Sequence, residues 1–235
     1  MIKKSVNKKR IIRWSVLVLL IAGIGLVRGN SSWGEWYALH LYPVVSAFFS
    51  FFSSCVPFSL GDLFILLIVS GGVGYAVYGL WKGRSVKLMF VRLLEGAGWI
   101  YVWFYMAWGM NYFREDFYTR SGVGQMRYNP ANFQQFLENY LTGLNAAYES
   151  AGDTVTLFYP TIELQEVAAE IKKGYSEVDS CFGLLSPREE MLPKPMLFSR
   201  SMSKMSILGY MGPFFSEFNL NTELPFIQYP SCYAH

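Results

Sequence analysis

The stretch LFILLIVSGGVGYAVYGLW, residues 63–81, is 19 residues long and carries no charged side chain. A helix needs about 20 mostly apolar residues to cross the hydrocarbon core of a bilayer. A second run, residues 96–113, is 18 residues long and equally free of charge. Because 52% of the 235 residues are hydrophobic and the mean hydropathy is +0.23, the composition is too apolar for an ordinary soluble protein, and we predict a membrane protein.

A shorter apolar run near the amino terminus, residues 14–27, follows the cationic stretch MIKKSVNKKR. A cleaved signal peptide has the same arrangement, but no small-x-small cleavage site follows the run. Ile11 and Ile12 can extend the helix while Arg13 and Arg28 reach the two interfaces, so an uncleaved anchor is favoured. The three predicted spans are then about 11–28, 63–81 and 94–113.

The distribution of charge indicates how often the chain crosses the membrane. Residues 1–113 carry 11 Lys and Arg against 3 Asp and Glu, and their cations cluster before the first span and in the loop at 82–92. Three spans place both clusters in the cytoplasm, whereas a fourth span within the apolar stretch 33–61 would separate them. We therefore predict that residues 33–61 form an interfacial or re-entrant element on the outer side and that the C-terminal half is extracytoplasmic.

The C-terminal half resembles a water-exposed domain in composition. It has 9 Lys and Arg against 14 Asp and Glu and no basic stripe, which excludes nucleic acid as a partner. After a linker at 114–128, we predict a domain over 129–235 that begins with a helix capped by Asn129 or Asn132. The apolar residues of this helix define one face that we expect to be buried: Phe133, Phe136, Leu137, Tyr140, Leu141, Leu144 and Tyr148.

A second amphipathic helix is predicted over residues 161–178, with glutamates on the face opposite its apolar residues. No histidine accompanies these glutamates, so a solvated face is favoured over metal binding. From residue 193 onward, short apolar runs and a two-residue alternation predict short strands. The predicted fold class is thus an α-helical membrane region with three transmembrane helices, followed by an α+β extracytoplasmic domain.

The alternation falls on Glu217, Asn219 and Asn221, which are separated by apolar residues. In zincin metallopeptidases an edge strand beside the metal-binding helix pairs with extended substrate, and histidines at i and i+4 of that helix hold the zinc. These three residues are therefore our candidate substrate-strand region. Pro230, Ser231 and Cys232 then predict the first turn of a new helix.

The sequences GYMGPFFSEFNLN and LPFIQYPSCYAH, residues 209–221 and 224–235, resemble the stretch that leads into the H-E-x-x-H helix of an uncharacterised family of bacterial membrane proteins, a domain of unknown function. VPFSLGDLFILLI and WGMNYFRE resemble the membrane region of the same family, so the resemblance covers most of residues 11–235. It implies a multi-pass protein of the bacterial inner membrane with a zincin-like domain. It also implies that His235 is the first zinc ligand.

In the family, the glutamate and the second histidine of the motif follow the position of His235. Zinc is therefore expected only in a complete chain, and the chain up to His235 is expected to be an inactive fragment with no zinc and no catalytic residue of its own. Two function classes stay open. One is a membrane-anchored zinc metallopeptidase that acts on extracytoplasmic proteins or peptides, and the other is a non-catalytic module tethered to the lipid bilayer.

Two carboxylates lie at predicted span ends. A proton or ion pathway would be the functional interpretation, but local roles are favoured. Asp62 follows Ser59 at a helix start, where it can cap the helix or complement its dipole, and Glu95 can pair with Arg92 three residues earlier.

The remaining polar candidates receive structural interpretations. A disulfide between Cys181 and Cys232 is chemically allowed outside the cytoplasm, although two free thiols are favoured. Cys55 is expected to pack, and His40 is expected to bond to backbone or water rather than to a metal.

Overall fold

The computed structural model describes residues 8–125, 127–151, 164–182, 193–224, 228 and 231–232. These residues are mostly helical and include one small mixed sheet. The chain forms two compact units, residues 1–115 with 187–235, and residues 116–186. This division differs from the predicted one, a membrane region at 1–113 and a single domain at 129–235, because the strands belong to the same unit as the N-terminal helices.

The first unit opens with five helices. They are α1 (Lys8–Arg28), α2 (Ser31–Trp36), α3 (Tyr42–Ser54), α4 (Leu60–Trp81) and α5 (Val86–Ala107), with a π-helical segment at Tyr37–Leu41 and a 3₁₀ turn at Gly109–Phe113. Among the described helices, α1 and α4 are long and apolar enough to cross a membrane. Helix α5 begins eight residues before the predicted third span, and its first half therefore includes Lys87, Arg92 and Glu95.

Helix α1 packs beside α5, and the two run in the same direction. Arg13 Nε lies 2.9 Å from Glu95 Oε1, and one turn further along both helices the side chain of Leu17 covers Gly98. The prediction that Glu95 pairs with Arg92 is wrong, because Glu95 pairs instead with Arg13 of α1. Leu17, Ile24 and Val102 form the buried core of this helix pair.

Helices α4 and α5 form an antiparallel hairpin. Gly79, near the end of α4, faces Met89 at the start of α5, and a methyl group placed at Gly79 would lie 2.5 Å from the Met89 sulfur. The short connection passes through Gly83, whose φ of 63° favours glycine. The start of α4 and the ends of α1 and α5 therefore lie at the same end of the helix group, which we call the Ser59 end.

The segment from α2 to α3 begins and ends at the Ser59 end. At its start, a methyl group at Gly34 would lie 2.3 Å from the carbonyl oxygen of Phe113, and the Arg114 guanidinium donates to both oxygens of Glu35 at 2.7 and 3.0 Å. At its end, Ser53 lies beside the first turn of α4, because the Ser53 hydroxyl and the Leu60 amide both donate to the same atom, Oε1 of Glu217. Residues 31–54 therefore do not run the length of the α4–α5 hairpin.

The second unit holds helices α6 (Phe117–Ser121), α7 (Pro130–Ala151) and α8 (Leu164–Phe182). The predicted cap of α7 by Asn129 is confirmed, since Asn129 Oδ1 accepts from the Ala131 amide at 2.9 Å. The prediction of a buried apolar face on α7 is wrong, because all seven of its apolar side chains are exposed and no described element covers them. In α8, Glu166 and Glu170 are exposed as predicted, while Val167 and Ala168 are buried.

The sheet belongs to the first unit and has three short strands, β1 (Lys194–Pro195), β2 (Gly209–Gly212) and β3 (Glu217–Leu220), with the short helix α9 (Ser199–Lys204) between β1 and β2. Strand β3 is central, parallel to β1 and antiparallel to β2. The predicted strands are confirmed in this region. The zincin-like fold stays a prediction.

Candidate functional site

A group of buried and partly buried polar side chains joins the sheet to the corner between α3 and α4. We call it the corner cluster, and its members are Ser53, Ser59, Asp62, Lys194, Tyr210, Glu217 and Asn219. The strand register explains why the sheet residues meet. Tyr210 and Lys194 are the partners of Asn219 on either side, and partners on neighbouring strands share a face. Glu217 lies two residues before Asn219 on β3 and therefore also projects from that face.

Glu217 is the centre of the corner cluster and is 1% exposed. Its Oε1 accepts from the Ser53 hydroxyl at 2.7 Å and from the Leu60 amide at 3.0 Å. Its Oε2 accepts from the Gly61 amide at 2.8 Å. The first amides of a helix have no partner within the helix and carry a partial positive charge, so a carboxylate at this place satisfies both needs.

Lys194 is the counter-ion of Glu217, with its Nζ 2.8 Å from Glu217 Oε1. The same ammonium group donates to the Ser53 hydroxyl at 2.7 Å, to the Ser53 carbonyl, and to the Phe58 carbonyl at 3.3 Å. Burial alone would raise the pKa of the Glu217 carboxyl, but the Lys194 ammonium and the hydrogen bonds from Gly61, Leu60 and Ser53 outweigh it and hold the pKa below its usual value. The ionised pair is therefore the stable form.

Asp62 makes a second connection between α4 and the sheet. Its Oδ2 accepts from the Leu197 amide at 2.9 Å, just after β1, and its Oδ1 accepts from the Tyr210 hydroxyl of β2. Burial, together with the hydrogen bond to the Asp62 carboxylate and its charge, raises the pKa of Tyr210. The Asp62 carboxylate does not cap α4, because the Ser59 hydroxyl is the N-cap and accepts from the Asp62 amide at 3.0 Å. Asp62 does lie in the first turn of α4, the position from which it was predicted to complement the helix dipole.

The structure buries all three residues of the predicted substrate-strand region. Glu217 caps α4, Asn221 donates to the Ser203 hydroxyl and the Ile207 carbonyl, and Asn219 has no hydrogen-bond partner for either polar side-chain atom within the described part of the chain. Because β3 is paired on both sides, an added strand could pair only with the outer edges of β1 or β2. Substrate pairing in this region stays a prediction.

The predicted zinc ligand, His235, lies outside the described residues. Residues 231 and 232 are helical, in agreement with the predicted helix start, and Cys232 is a buried free thiol. No group of three His, Cys, Asp or Glu side chains that could hold a metal occurs among the described residues. The other histidine of the sequence, His40, stacks on Trp36, and its Nδ1 lies 3.0 Å from the Trp36 carbonyl oxygen. This is the backbone contact that was predicted for His40.

Sequence reasoning missed the roles of Lys194, Glu217 and Tyr210 in the corner cluster. One signal was present, because Glu217 is the lone charged residue between Lys204 and Glu223, within a stretch rich in aromatic residues. A lone charged residue among apolar neighbours is a candidate for burial, and a buried carboxylate needs a counter-ion or several hydrogen-bond donors. Cys55, expected to pack, is instead exposed at the end of α3.

Comparison with known proteins establishes the family. The family described as "Protein of unknown function (DUF3810)" matches residues 37–235, and the chain belongs to it. No curated protein and no solved structure matches the chain.

Proposed function

We propose that this member of the DUF3810 family is a membrane-anchored zinc metallopeptidase that cleaves extracytoplasmic proteins or peptides. The observation that carries the proposal is the helical conformation of Ser231 and Cys232, three residues before His235. A helix that continues through His235 would bring a second histidine four residues later to the same face, as the H-E-x-x-H arrangement requires. Zinc held by such a pair lowers the pKa of bound water and polarises the peptide carbonyl.

The packing of the helices supports three membrane spans. Helix α5 has 22 residues and is about 33 Å long, enough for the hydrocarbon core of about 30 Å. Its parallel alignment with α1 puts the loop between α4 and α5 at the same end as the cationic start of α1. The pairing of Glu95 with Arg13 lowers the cost of placing that carboxylate near the bilayer.

The return of residues 31–54 to the Ser59 end supports an interfacial element rather than a fourth span. If the cationic loop is in the cytoplasm, the Ser59 end and the sheet that docks there lie on the outer, extracytoplasmic side of the inner membrane. A chain whose native cysteines are replaced by serine tests this arrangement. An impermeant thiol reagent added outside should modify Ser121→Cys but not Ser85→Cys, and the opposite result would overturn the topology.

Metal analysis tests the enzymatic proposal. We expect about one zinc per chain in the protein purified with everything that its gene encodes, and loss of that zinc in His235→Ala. His40→Ala is the matched control, because His40 already bonds to the Trp36 carbonyl and should leave the zinc content unchanged. A metal-free protein, or zinc that His235→Ala retains, would refute the proposal. Replacing the glutamate of the motif by glutamine should spare zinc but abolish hydrolysis.

A specific observation favours the second candidate, a non-catalytic tethered module. The apolar face of α7 is exposed, and its rings contact one another in a row in which Phe133, Phe136 and Tyr140 are separated by 6.4 and 6.3 Å between centroids. Exposed apolar surface of this kind marks interaction sites. A gene that continues beyond His235 without the glutamate and second histidine would favour this candidate over the enzyme.

A further inference from the structure

We infer that the Lys194–Glu217 ion pair is a double helix cap that fixes the C-terminal sheet to the corner between α3 and α4, so that β3 follows any displacement of α4. Each charge faces a helix end of opposite sign. Glu217 accepts from the Leu60 and Gly61 amides at the positive end of α4, and Lys194 donates to the Ser53 carbonyl at the negative end of α3. This role is independent of the proposed zinc chemistry.

The corner itself does not provide these charges. Between Glu35 and Asp62 the sequence has no charged side chain, and Ser59 caps only the Asp62 amide. The Leu60 and Gly61 amides, which are left open at the start of α4, are therefore satisfied by Glu217. The Ser53 carbonyl, which also accepts from the Val56 amide at 3.1 Å, gains a cationic donor from Lys194. Both charged residues approach from more than 130 positions away along the chain. A sheet that departed would leave both helix ends without their charged partners.

Close backbone approach makes the attachment tight. A methyl group at Gly61 would lie 3.3 Å from Glu217 Oε2 and 4.0 Å from the Cα of Gly212, which is the strand partner of Glu217. The first turn of α4 can therefore sit directly on the β2–β3 pair because residue 61 has no side chain.

Strands β2 and β3 and the residue that follows β1 by two positions each contact the first turn of α4. Leu197, just after β1, and Tyr210 of β2 bind Asp62, while Glu217 of β3 binds residues 60 and 61. Because the contacts come from three separate segments, the sheet cannot pivot about any one of them. A shift or tilt of α4 would thus move β3.

Hydrogen–deuterium exchange of the full chain in lipid nanodiscs tests this coupling. Glu217→Gln removes the negative charge with little change of shape. We expect amide exchange to rise at least about tenfold both at residues 60–63 and at residues 217–221, because the Leu60 and Gly61 amides lose a charged acceptor and β3 loses its attachment to α4. A rise in the strand with unchanged exchange at the start of α4 would overturn the inference.

Swapping the positions of the two charges distinguishes a double cap from a simple ion pair. Lys194→Glu with Glu217→Lys keeps an ion pair, but lysine has no acceptor for the Leu60 and Gly61 amides, and the carboxylate would face the α3 carbonyls. Protection should therefore remain lost. The matched control is Arg13→Glu with Glu95→Arg, a pair that lies along two helices and should tolerate the swap of its charges. If the variant with Lys194 and Glu217 swapped regained its protection from hydrogen exchange, the double cap would be refuted.

A milder variant keeps the test valid if the charge variants fail to fold. Ser53→Ala deletes one hydroxyl that bonds to both Glu217 and Lys194 and leaves the two charges in place. We expect a smaller but simultaneous rise in exchange at residues 60–63 and 217–221. A rise in only one of the two regions would contradict the coupling.

Discussion

Gly34→Ala tests the claim that residues 31–54 begin and end at one end of the helix group. The added methyl carbon would lie 2.3 Å from the Phe113 carbonyl oxygen, 2.5 Å from its carbon and 3.0 Å from the Arg114 nitrogen. Ordinary contacts between non-bonded carbon atoms are about 3.5–4.0 Å, so α2 or the 109–113 turn must move by about 1 Å. The obstructing atoms belong to the backbone and cannot rotate away.

The expected cost follows from three contributions. Overpacking costs about 1–3 kcal/mol, and displacement of the partly buried Glu35–Arg114 pair adds up to about 1 kcal/mol. The better helix propensity of alanine returns about 1 kcal/mol. With each contribution near the middle of its range, the net loss is about 1.5 kcal/mol, which corresponds to a Tm lower by about 3–6 °C for a chain of this size.

Thermal unfolding in detergent micelles measures this difference, with Gly72→Ala as the matched control. A methyl group at Gly72 of α4 meets nothing within 4 Å, so this variant should be as stable as the parent protein or more stable. If Gly34→Ala unfolds within about 1 °C of the parent, α2 does not contact the 109–113 turn. The packing argument against a fourth span would then fail as well.

The remaining predictions concern the sheet and its attachment. Because the pKa of Glu217 is lowered, its stabilisation is present above the unfolded value of about 4.3 and is lost as pH falls through the folded value; Glu217→Gln should remove that acid-dependent loss in unfolding curves measured from pH 7 to pH 2. Tyr210→Phe should cost about 1.5–3 kcal/mol, the range for a hydrogen bond to a charged group, here Asp62. The raised pKa of Tyr210 means that its stabilisation is complete below about pH 10 and is lost above it, so the phenylalanine variant should lack this alkaline loss, and an unchanged alkaline profile would contradict the assignment. Asn219→Ala should destabilise less than Asn221→Ala, because Asn221 loses three hydrogen bonds and Asn219 loses none to the described residues; a larger loss at Asn219 in the same assay would show that its amide has a partner.

Features encoded by neighbouring residues could be predicted from the sequence. The length of α4 follows from a charge-free run bounded by charges, and its first turn follows from Ser59, whose hydroxyl reaches an amide three residues later. The cap of α7 by Asn129 is equally local. His40 was placed correctly because a side chain with an available carbonyl one turn back has a simple partner.

Features that depend on distant segments could not be predicted in this way. Helical spacing offered Arg92 as the partner of Glu95, and only the packing of α1 against α5 brings Arg13 closer. The alternation on β3 identified a strand, but it gave no sign that the polar face would be the buried one. That outcome depends on what lies opposite the strand, which here is the end of a helix rather than an apolar surface.

The use of helix ends as a docking surface explains why a buried ion pair is retained at this place. A buried pair by itself adds little, because the cost of removing two charges from water is close to the attraction gained, and apolar residues of the same volume often serve as well. At the corner, apolar substitutes would leave the Leu60 and Gly61 amides and the Ser53 carbonyl without charged partners. Lys194 and Glu217 therefore stabilise the corner chiefly through their hydrogen bonds to backbone groups. The polarity of the two helix ends thus determines where the sheet that carries these residues docks.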